Sequence, residues 1–196
     1  MTTKRTIILS VFPACGKTYV YEHQKELGIS VLDSDSSEFS WMQRKRTTEE
    51  LEEIKRNWNP TDHLIPVNVY INQIKDQLIK VRNPEFPANY IKHIKEQMKS
   101  GKYDFIFVSS HQSVREALRN ENIEYTIVCP NINMKEEWLG RCYFRKLEGK
   151  QLFPIQVLID NWDTWIKQLI DEIDHYKNGI FLYHNEHLSD IIMILI

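Results

Sequence analysis

The sequence predicts an α/β fold, with a central parallel sheet of about five strands that carries helices on both faces. Short apolar runs of strand-forming residues recur along the chain, and each is followed by a longer segment of helical character. When strands and helices alternate in this way, successive strands lie parallel because each helix crosses back over the sheet. The length of 196 residues and the hydrophobic content of 42% suit one domain with a substantial core.

The chain begins with residues 6–11, an almost uncharged run that is typical of a strand buried on both faces of a sheet. Residues 17–27 predict the first helix, and Gly28 provides its stop signal. Residues 29–32 predict a short second strand, which leads into the polar sequence DSDSS.

The middle of the chain, residues 37–79, is polar and rich in charge. We expect helices there, interrupted near Pro60 and Pro66, because proline removes a backbone donor and ends helices. A further helix is predicted from Pro87, near its first turn, to about Met98.

The last part of the chain returns to a regular alternation of strands and helices. Strands are predicted at residues 103–108, 123–128 and 180–183. Helices are predicted at residues 112–119, from about 134, and at 155–176 with an amphipathic pattern, and residues 188–196 form the last element of the chain. We expect the apolar C-terminal residues IIMILI to pack this last element into the core.

Composition narrows the functional classes. The formal net charge of −2 gives no general basic field for duplex nucleic acid. The three cysteines have neither CxxC nor Cys/His ligand spacing, which favours a reducing cytoplasm over a disulfide framework or a zinc site. No segment approaches the ~20 apolar residues that a membrane-spanning helix needs, so we expect no membrane partner.

The sequence FPACGKTY, between the first strand and the first helix, is the strongest functional signal. Gly16, Lys17 and Thr18 match the end of the pattern G-x-x-x-x-G-K-[ST]. In such a loop, backbone N–H groups and the helix dipole attract an anion, the lysine reaches the β- and γ-phosphates, and the threonine hydroxyl ligates Mg²⁺. We therefore expect ATP to contact the residues Pro13, Ala14, Cys15, Gly16, Lys17, Thr18 and Tyr19.

The match departs from the pattern at Val11, where the motif has its first glycine. That glycine usually permits a tight turn, so the conformation of the loop is open at this stage. Cys15 lies within the loop, where a helix N-terminus would lower its pKa, but we assign it no catalytic role.

Other polar residues follow the predicted strands at the sheet edge where ligands of α/β proteins collect. Asp33 and Asp35 follow the second strand and point the same way in an extended chain. Asp33 would support Mg²⁺, and Asp35 would orient the acceptor. The alternative is a capping turn, because aspartate and serine are preferred N-cap residues.

Several arginines are candidates for phosphate contacts. Arg141 and Arg145 are four residues apart, hence on one helix face, where they would neutralise charge on a transferred phosphoryl group. The alternative for this pair is a salt bridge with a nearby acid such as Glu137. His111 and Arg115, after the third predicted strand of the sheet, are candidate substrate contacts; an ordinary polar helix start is the alternative.

The charged middle segment and its end supply further candidates, Arg44 and Arg82, for an acceptor phosphate, although surface solvation is the alternative for each. Trp41 would stack on a base or, as we expect, pack in the core. No acidic residue follows the strand FIFV, so Asp33 would have to take the metal-supporting role that an acid has there in many phosphate-loop proteins.

With these residues in place, the chain resembles small P-loop kinases of the nucleotide-kinase type. Residues 11–18 resemble their phosphate loop, Arg141-x-x-x-Arg145 resembles the arginine pair of their mobile lid, and LDSD is similar to the DxD of shikimate kinases. The segments FPACGKTYVY, DSDSSEFSW, RNPEFPANYIKHI and FVSSHQSVREAL resemble phage-encoded proteins described as nucleotide or adenylate kinase-like. Val11 is a departure from that group, whose loop generally has glycine there.

The resemblance implies a three-layer P-loop NTPase fold with a helical lid. It further implies a core of about residues 1–36 and 101–196, an acceptor-binding helical insertion of about 37–100, and a lid of about 134–153. The expected activity is ATP- and Mg²⁺-dependent phosphoryl transfer to a nucleoside monophosphate, with a deoxynucleotide favoured, in the cytoplasm, or the host cytoplasm if the chain is phage-encoded.

Two alternatives stay open at this stage. One is a kinase that acts on a hydroxyl acceptor, such as a nucleoside, a modified base or a polynucleotide 5′ end, with Asp35 as general base. The other is a nucleotide-binding module without transfer, which the Val11 departure and the missing acid after FIFV favour. The sequence does not indicate the oligomeric state.

Overall fold

The computed structural model of the protein describes residues 5–147 and 155–195, without the side chains of residues 145–147. The chain forms two compact units, one of Met1–Ser36 with Pro87–Ile196 and one of Ser37–Phe86. The predicted insertion was longer, about 37–100. The second unit ends earlier because the helix that follows Phe86 packs with the elements of the first unit.

The described residues contain both long and very short elements. The strands are β1 (Ile7–Val11), β2 (Val31–Asp33), β3 (Trp41–Lys45), β4 (Leu78–Arg82), β5 (Phe105–Ser109), β6 (Thr126–Pro130) and β7 (Gly179–Leu182). The helices are α1 (Lys17–Glu22), α2 (Ser37–Ser40), α3 (Thr48–Arg56), α4 (Val67–Ile74), α5 (Ala88–Ser100), α6 (Gln112–Asn120), α7 (Lys135–Leu147), α8 (Ile155–Tyr176) and α9 (Leu188–Ile192). Short 3₁₀ turns lie at Pro60–Asp62 and Ile132–Met134.

The first unit confirms the predicted α/β class. Its sheet has five strands in the order β2-β5-β1-β6-β7, and every neighbouring pair is parallel. Residues 8–11 of β1 and 105–108 of β5 are all buried. Because successive side chains of a strand point to opposite faces, burial of consecutive residues means that helices cover both faces of the central strands. This arrangement is compatible with a three-layer fold.

Two predicted helices of the first unit are confirmed at both ends. Pro87 takes the N-cap position of α5, and Gly101 ends that helix in a left-handed conformation with φ of 63°. The long helix α8 has the predicted bounds, and its apolar stripe buries Trp162, Leu169 and Ile173. Glycine is suited to such a helix end because it lacks the Cβ that destabilises a positive φ.

The C-terminal apolar run is only partly packed in the core. Ile192 of α9 is fully buried, whereas Met193 is half exposed and Ile194 is 80% exposed. The prediction that this run fills the core is therefore correct for its first part and wrong for these two residues.

The second unit corrects the prediction that residues 37–79 are only helical. Strands β3 and β4 form an antiparallel pair, in which Trp41 lies opposite Arg82 and Lys45 opposite Leu78. Helices α3 and α4 lie between the two strands in the sequence, and they pack against each other. A capping box begins α3, because the Thr47 side chain accepts from the Glu50 N–H and the Glu50 carboxylate accepts from the Thr47 N–H.

Candidate functional site

The first loop, residues 12–16, joins β1 to α1 at the carboxyl edge of the sheet. Val11, before it, is the last residue of β1, and it pairs with Ser109 of β5 and Val128 of β6. The positive φ angles that turn the chain occur later, at Ala14 (62°) and Gly16 (103°). Valine fits at position 11 because that residue still belongs to a buried strand.

Two hydrogen bonds from distant elements hold the carbonyl groups of the first loop. The Trp138 indole Nε1 donates to the Pro13 carbonyl at 3.0 Å, and the Leu188 N–H donates to the Cys15 carbonyl at 2.8 Å. Both donors lie on helices, α7 and α9, so the loop is anchored on two sides. Fixed carbonyls restrict the orientation of the peptide groups between them.

The N–H groups of the same segment have no such partners. From Ala14 to Thr18, none of the backbone N–H groups donates a hydrogen bond to another described residue. Successive unpaired N–H groups in a turn that leads into a helix form a concave site for anions. The half-buried Lys17 adds a charge here, and its ammonium makes no ion pair or hydrogen bond within the described chain.

Cys15 corrects the prediction that its pKa is lowered by the helix N-terminus. The side chain is fully buried, and its thiol lies 3.8 Å from the Val128 carbonyl. Burial raises the pKa of Cys15 well above its ordinary value, with a further contribution from Cys129, and the charge of Lys17 opposes this only in part. A buried thiol of high pKa is chemically inert.

Asp33 and Asp35 lie at the same edge of the sheet, at and just beyond the end of β2. Burial alternates along this segment: Asp33 is half-buried, Ser34 buried and Asp35 exposed. The Ser34 N–H donates to the Phe107 carbonyl of β5 at 3.0 Å, so the chain follows its neighbour past the strand end. An extended segment directs the two carboxylates to one side.

Tyr90 of α5 lies beside these carboxylates. Its hydroxyl donates to the Ser34 carbonyl at 2.8 Å. Burial raises the pKa of Tyr90 above its ordinary value, and the negative charges of Asp33 and Asp35 raise it further. The tyrosine is therefore a neutral hydrogen-bond donor that supports the backbone between the two aspartates. The sequence offered no signal for it beyond its place in a helix.

Arg141 is held close to the first loop by contacts on all sides. Its guanidinium lies 4.0 Å from the centroid of the Trp138 ring. Nη1 donates to the Glu186 carbonyl at 2.9 Å and lies 3.5 Å from the His187 Nδ1, and Nη2 donates to Glu137. The salt bridge with Glu137, which was the alternative for Arg141, is confirmed.

The segment after β7 also belongs to this site, although none of its residues was predicted from the sequence. His184 contacts the Glu137 carboxylate at 2.7 Å, and the Asn185 N–H donates to it at 3.2 Å. His187 lies against Gly16, with its Cβ 3.7 Å from where a Cβ on that glycine would be. The rule that ligands collect at carboxyl strand ends would have found these residues, had it been applied to the last strand.

Arg115 lies apart from these groups, in the core of the first unit. Only 3% of its side chain is exposed; its Nε donates to Glu172 at 3.0 Å, and its Nη1 donates to the Ser110 carbonyl. Glu172 also contacts Arg119 and Tyr125, at 2.6 and 2.5 Å. Arg115 thus joins a buried ionic cluster that fixes the backbone after β5.

His111 is exposed at the N-cap of α6. Its N–H donates to the Ser109 hydroxyl at 3.3 Å, which places it at the carboxyl end of β5. It shares that sheet edge with the first loop and with the segment after β2.

The second unit contains the two acceptor candidates among the arginines. Arg44 forms two hydrogen bonds with Glu50, both at 2.7 Å, a geometry in which the guanidinium fork meets a carboxylate. The guanidinium of Arg82 lies 5.0 Å from the ring centroid of Trp41 and 5.5 Å from that of Phe86. Trp41 is 40% exposed, so the interpretation of it as a core residue is wrong.

The predicted magnesium ligands, Thr18 and Asp33, suit that ion in chemical type. Within residues 5–147 and 155–195, no group of three or more His, Cys, Asp or Glu side chains is arranged to hold a metal. Mg²⁺ commonly takes one or two protein oxygens and completes its shell with water and substrate phosphates. The Thr18 hydroxyl makes no hydrogen bond to another described residue.

Part of the predicted lid, residues 134–153, lies outside the described residues. Helix α7 covers its first part through Leu147, and the side chain of Arg145 is among those not described.

Comparison with known proteins does not identify the chain: no protein-family model matches it, and neither does any curated protein sequence. Across the part of the chain that the structure describes, no helix is both long and apolar enough to cross a bilayer. We therefore infer a function from the geometry of the site and from the resemblance of the motifs.

Proposed function

We propose that the protein is a P-loop kinase of the three-layer type that transfers the γ-phosphoryl group of ATP to a nucleoside monophosphate, with a deoxynucleotide favoured, in the cytoplasm. In this reaction a phosphate oxygen of the acceptor forms a bond to the γ-phosphorus. The bond from that phosphorus to the β-phosphate oxygen breaks, so the products are ADP and a nucleoside diphosphate.

The run of unpaired backbone N–H groups from Ala14 to Thr18 supports this proposal most strongly. A run of amide donors with no protein acceptor, next to an unpaired lysine, has the chemistry that a chain of phosphates needs. The carbonyl anchors at Pro13 and Cys15 prevent these peptides from turning their oxygens toward the anion. Such preorganised donors stabilise charge without reorganisation during the reaction.

The other groups at the sheet edge take the remaining roles in the proposal. Lys17 holds the β- and γ-phosphates, and Arg141 with Arg145 neutralises the charge on the transferred group. Thr18 and Asp33 would hold Mg²⁺, which would offset the charge of the phosphates. Because these are all oxygen ligands, they match the preference of this ion.

The proposal also includes contacts to the acceptor. Asp35 orients the acceptor, with His111 beyond the end of β5 as a further candidate contact, whereas Glu172 holds Arg115 in the core of the first unit. Within the second unit, Arg44 and Arg82 are the candidate partners of the acceptor phosphate. Arg82, stacked on Trp41, offers a planar cation beside an exposed aromatic ring, which suits a phosphate with a nearby base.

The decisive experiment measures ADP release from Mg·ATP with a panel of acceptors. The panel contains nucleoside monophosphates, deoxynucleoside monophosphates, nucleosides and an oligonucleotide with a 5′-hydroxyl. Lys17→Ala serves as the blank, and Lys25→Ala, an exposed lysine just after α1, serves as the matched control. We expect Lys17→Ala to lose at least about a hundredfold in turnover, as removal of one charge-stabilising donor does, and Lys25→Ala to match the wild type.

The pattern of stimulation separates the candidate functions. Stimulation by a monophosphate supports the proposal and names the acceptor. Stimulation by nucleosides or the oligonucleotide alone would replace it with a hydroxyl kinase in which Asp35 acts as base, as its exposed position beyond β2 allows. ATP binding without stimulation by any acceptor would favour a binding module, and turnover of Lys17→Ala equal to the wild type would refute the assignment of the loop.

A further inference from the structure

A cavity lies at the opposite edge of the same sheet from the candidate site. It has a volume of about 900 Å³ and opens where β1 and β6 begin and where α8 leads into β7. The volume is within the range of small-molecule sites. The candidate kinase site is at the carboxyl ends of these strands, so the length of β1, about 13 Å at ~3.3 Å per residue, separates the two regions.

The charges that line this cavity favour an anion. Among the described residues that line it, Arg5, Arg119 and Lys177 are cationic, and Glu124 is the one acid. Arg5 and Glu124 pair with each other, but their side chains are 76% and 80% exposed, and such pairs contribute little. Arg119 pairs with Glu172, but Glu172 is shared with Arg115, so these three residues carry a net positive charge, and Lys177 adds another in a chain whose net charge is −2.

Arg119 is held in place by the buried ionic cluster. One of its nitrogens, Nη1, contacts both the Glu172 carboxylate and the Tyr125 hydroxyl at 2.6 Å. Its Nε and Nη2 groups have no hydrogen-bond partner among the described residues. A guanidinium that is fixed on one side and has unused donors on the other is preorganised for a bound anion.

Lys177 and Tyr176 form the adjoining wall. Lys177 has a φ of 55°, a left-handed conformation that costs energy for any residue with a Cβ, and its ammonium has no partner in the described chain. Tyr176 is half exposed, and its ring lies 5.2 Å from the Arg119 guanidinium. The apolar side chains Ile7 and Ile123 line the cavity as well.

We propose that this cavity is a second ligand site, which binds a phosphate monoester that carries a ring. The two available cations, Arg119 and Lys177, match the charge of a phosphate dianion better than that of a single carboxylate. The tyrosine ring and the isoleucines contact the apolar body of the ligand. The site is independent of the proposed kinase activity, since no residue of the first loop belongs to it.

The test uses phenyl phosphate as the probe and ¹H–¹⁵N NMR as the readout, on the full chain with Lys17→Ala so that the first loop does not compete. We expect saturable shifts of the backbone amides of Asn122, Lys177 and Asn178. Phenol, which lacks the phosphate, is the ligand control and should leave these amides unmoved. No saturable shift at millimolar phenyl phosphate would overturn the proposal.

The key variant is Lys177→Gly, because glycine accepts the positive φ that lysine has there. Its thermal midpoint should equal or exceed that of the parent protein, so lost binding is not caused by unfolding. We expect about tenfold weaker binding of phenyl phosphate, as for loss of one charged hydrogen bond. Lys167→Ala, at an exposed lysine of α8, should bind as the parent does. Equal affinity of Lys177→Gly and the parent would refute the site.

Discussion

The buried cluster around Glu172 allows a quantitative prediction of stability. Glu172→Gln keeps the shape of the side chain but leaves the charge of Arg115 without a counter-charge. The two side chains are 9% and 3% exposed, so solvent compensates for little of the loss. Removing one partner of a buried pair costs about 3–5 kcal/mol, and we expect about 3 kcal/mol because glutamine still accepts a hydrogen bond.

The assay is urea unfolding, followed by circular dichroism, with thermal melting as a second measure. A loss of about 3 kcal/mol should lower the Tm by about 6–12 °C in a protein of this size. Glu124→Gln is the matched control, since its pair with Arg5 is 80% and 76% exposed and should contribute less than about 1 kcal/mol. If Glu172→Gln costs no more than the control, the cluster does not stabilise the fold as we infer.

A double substitution separates this structural role from substrate binding. In Arg115→Met combined with Glu172→Leu, both charges are absent, and packed apolar residues often restore the stability that a single substitution removes. If Arg115 only fixes the backbone at Ser110, the double variant should regain stability and bind nucleotides as the wild type does. A stable double variant with weakened acceptor binding would show that Arg115 contacts the substrate.

Two further predictions concern the candidate site. Gly16→Ala should lower the free energy of unfolding in urea by about 1–3 kcal/mol, because a φ of 103° is strained for a residue with a Cβ. Ala14→Gly, at a φ of 62°, should change it by less than about 1 kcal/mol, and equal losses in the two variants would contradict this reasoning. Although burial works in the other direction, hydrogen bonds from His184 and Arg141 hold the pKa of Glu137 below its ordinary value of 4.5. Ionised Glu137 therefore stabilises the fold above that pH, and the stabilisation is lost as the pH falls below it. Glu137→Gln should show a shallower acid-induced loss of Tm, and an identical pH profile would refute the role of this carboxylate.

The parts of the fold that the sequence predicted are those in which local signals agree. Helix α5 begins after Pro87 and ends at Gly101, and the apolar stripe of α8 has a clear helical period. The buried strands β1 and β5 are each apolar except for one serine. In each case, propensity, periodicity and stop signals point to the same element.

The antiparallel strand pair of the second unit was not predicted because its sequence signals are not local. Strands β3 and β4 pair across the whole of residues 46–77, with no short turn between them. Strand β3 is largely exposed and has three polar or charged residues, Gln43, Arg44 and Lys45, so no apolar alternation marks it as a strand. Propensity for strand depends strongly on cross-strand neighbours, which a sequence does not show.

Only part of the candidate site was predicted, because some of its contacts are local in the sequence and others are not. The loop residues and the two aspartates follow from motif and strand position, which are properties of short segments. The salt bridge of Arg141 with Glu137 is also local, because the two residues are four apart on one helix, whereas the bond of Arg141 to Glu186 joins segments that are 45 residues apart. The burial of Arg115 depends on Glu172, which is 57 residues distant. Side-chain partners at such separations are determined by packing.

The contacts of Arg141 bear directly on its proposed role in phosphoryl transfer. To bind a phosphate, the guanidinium must break its contact with the Glu137 carboxylate at least in part. A carboxylate that loses its partner normally costs free energy. Glu137, however, also interacts with His184 and accepts the Asn185 N–H, so it keeps two partners when the arginine leaves. The exchange of Glu137 for a phosphate thus replaces one charged contact by another and leaves no group unpaired. The proposed phosphate contact of Arg141 therefore requires little free energy. The same contact by Arg115 would require more, because Glu172 would stay buried beside Arg119 and Tyr125 without the charge of Arg115.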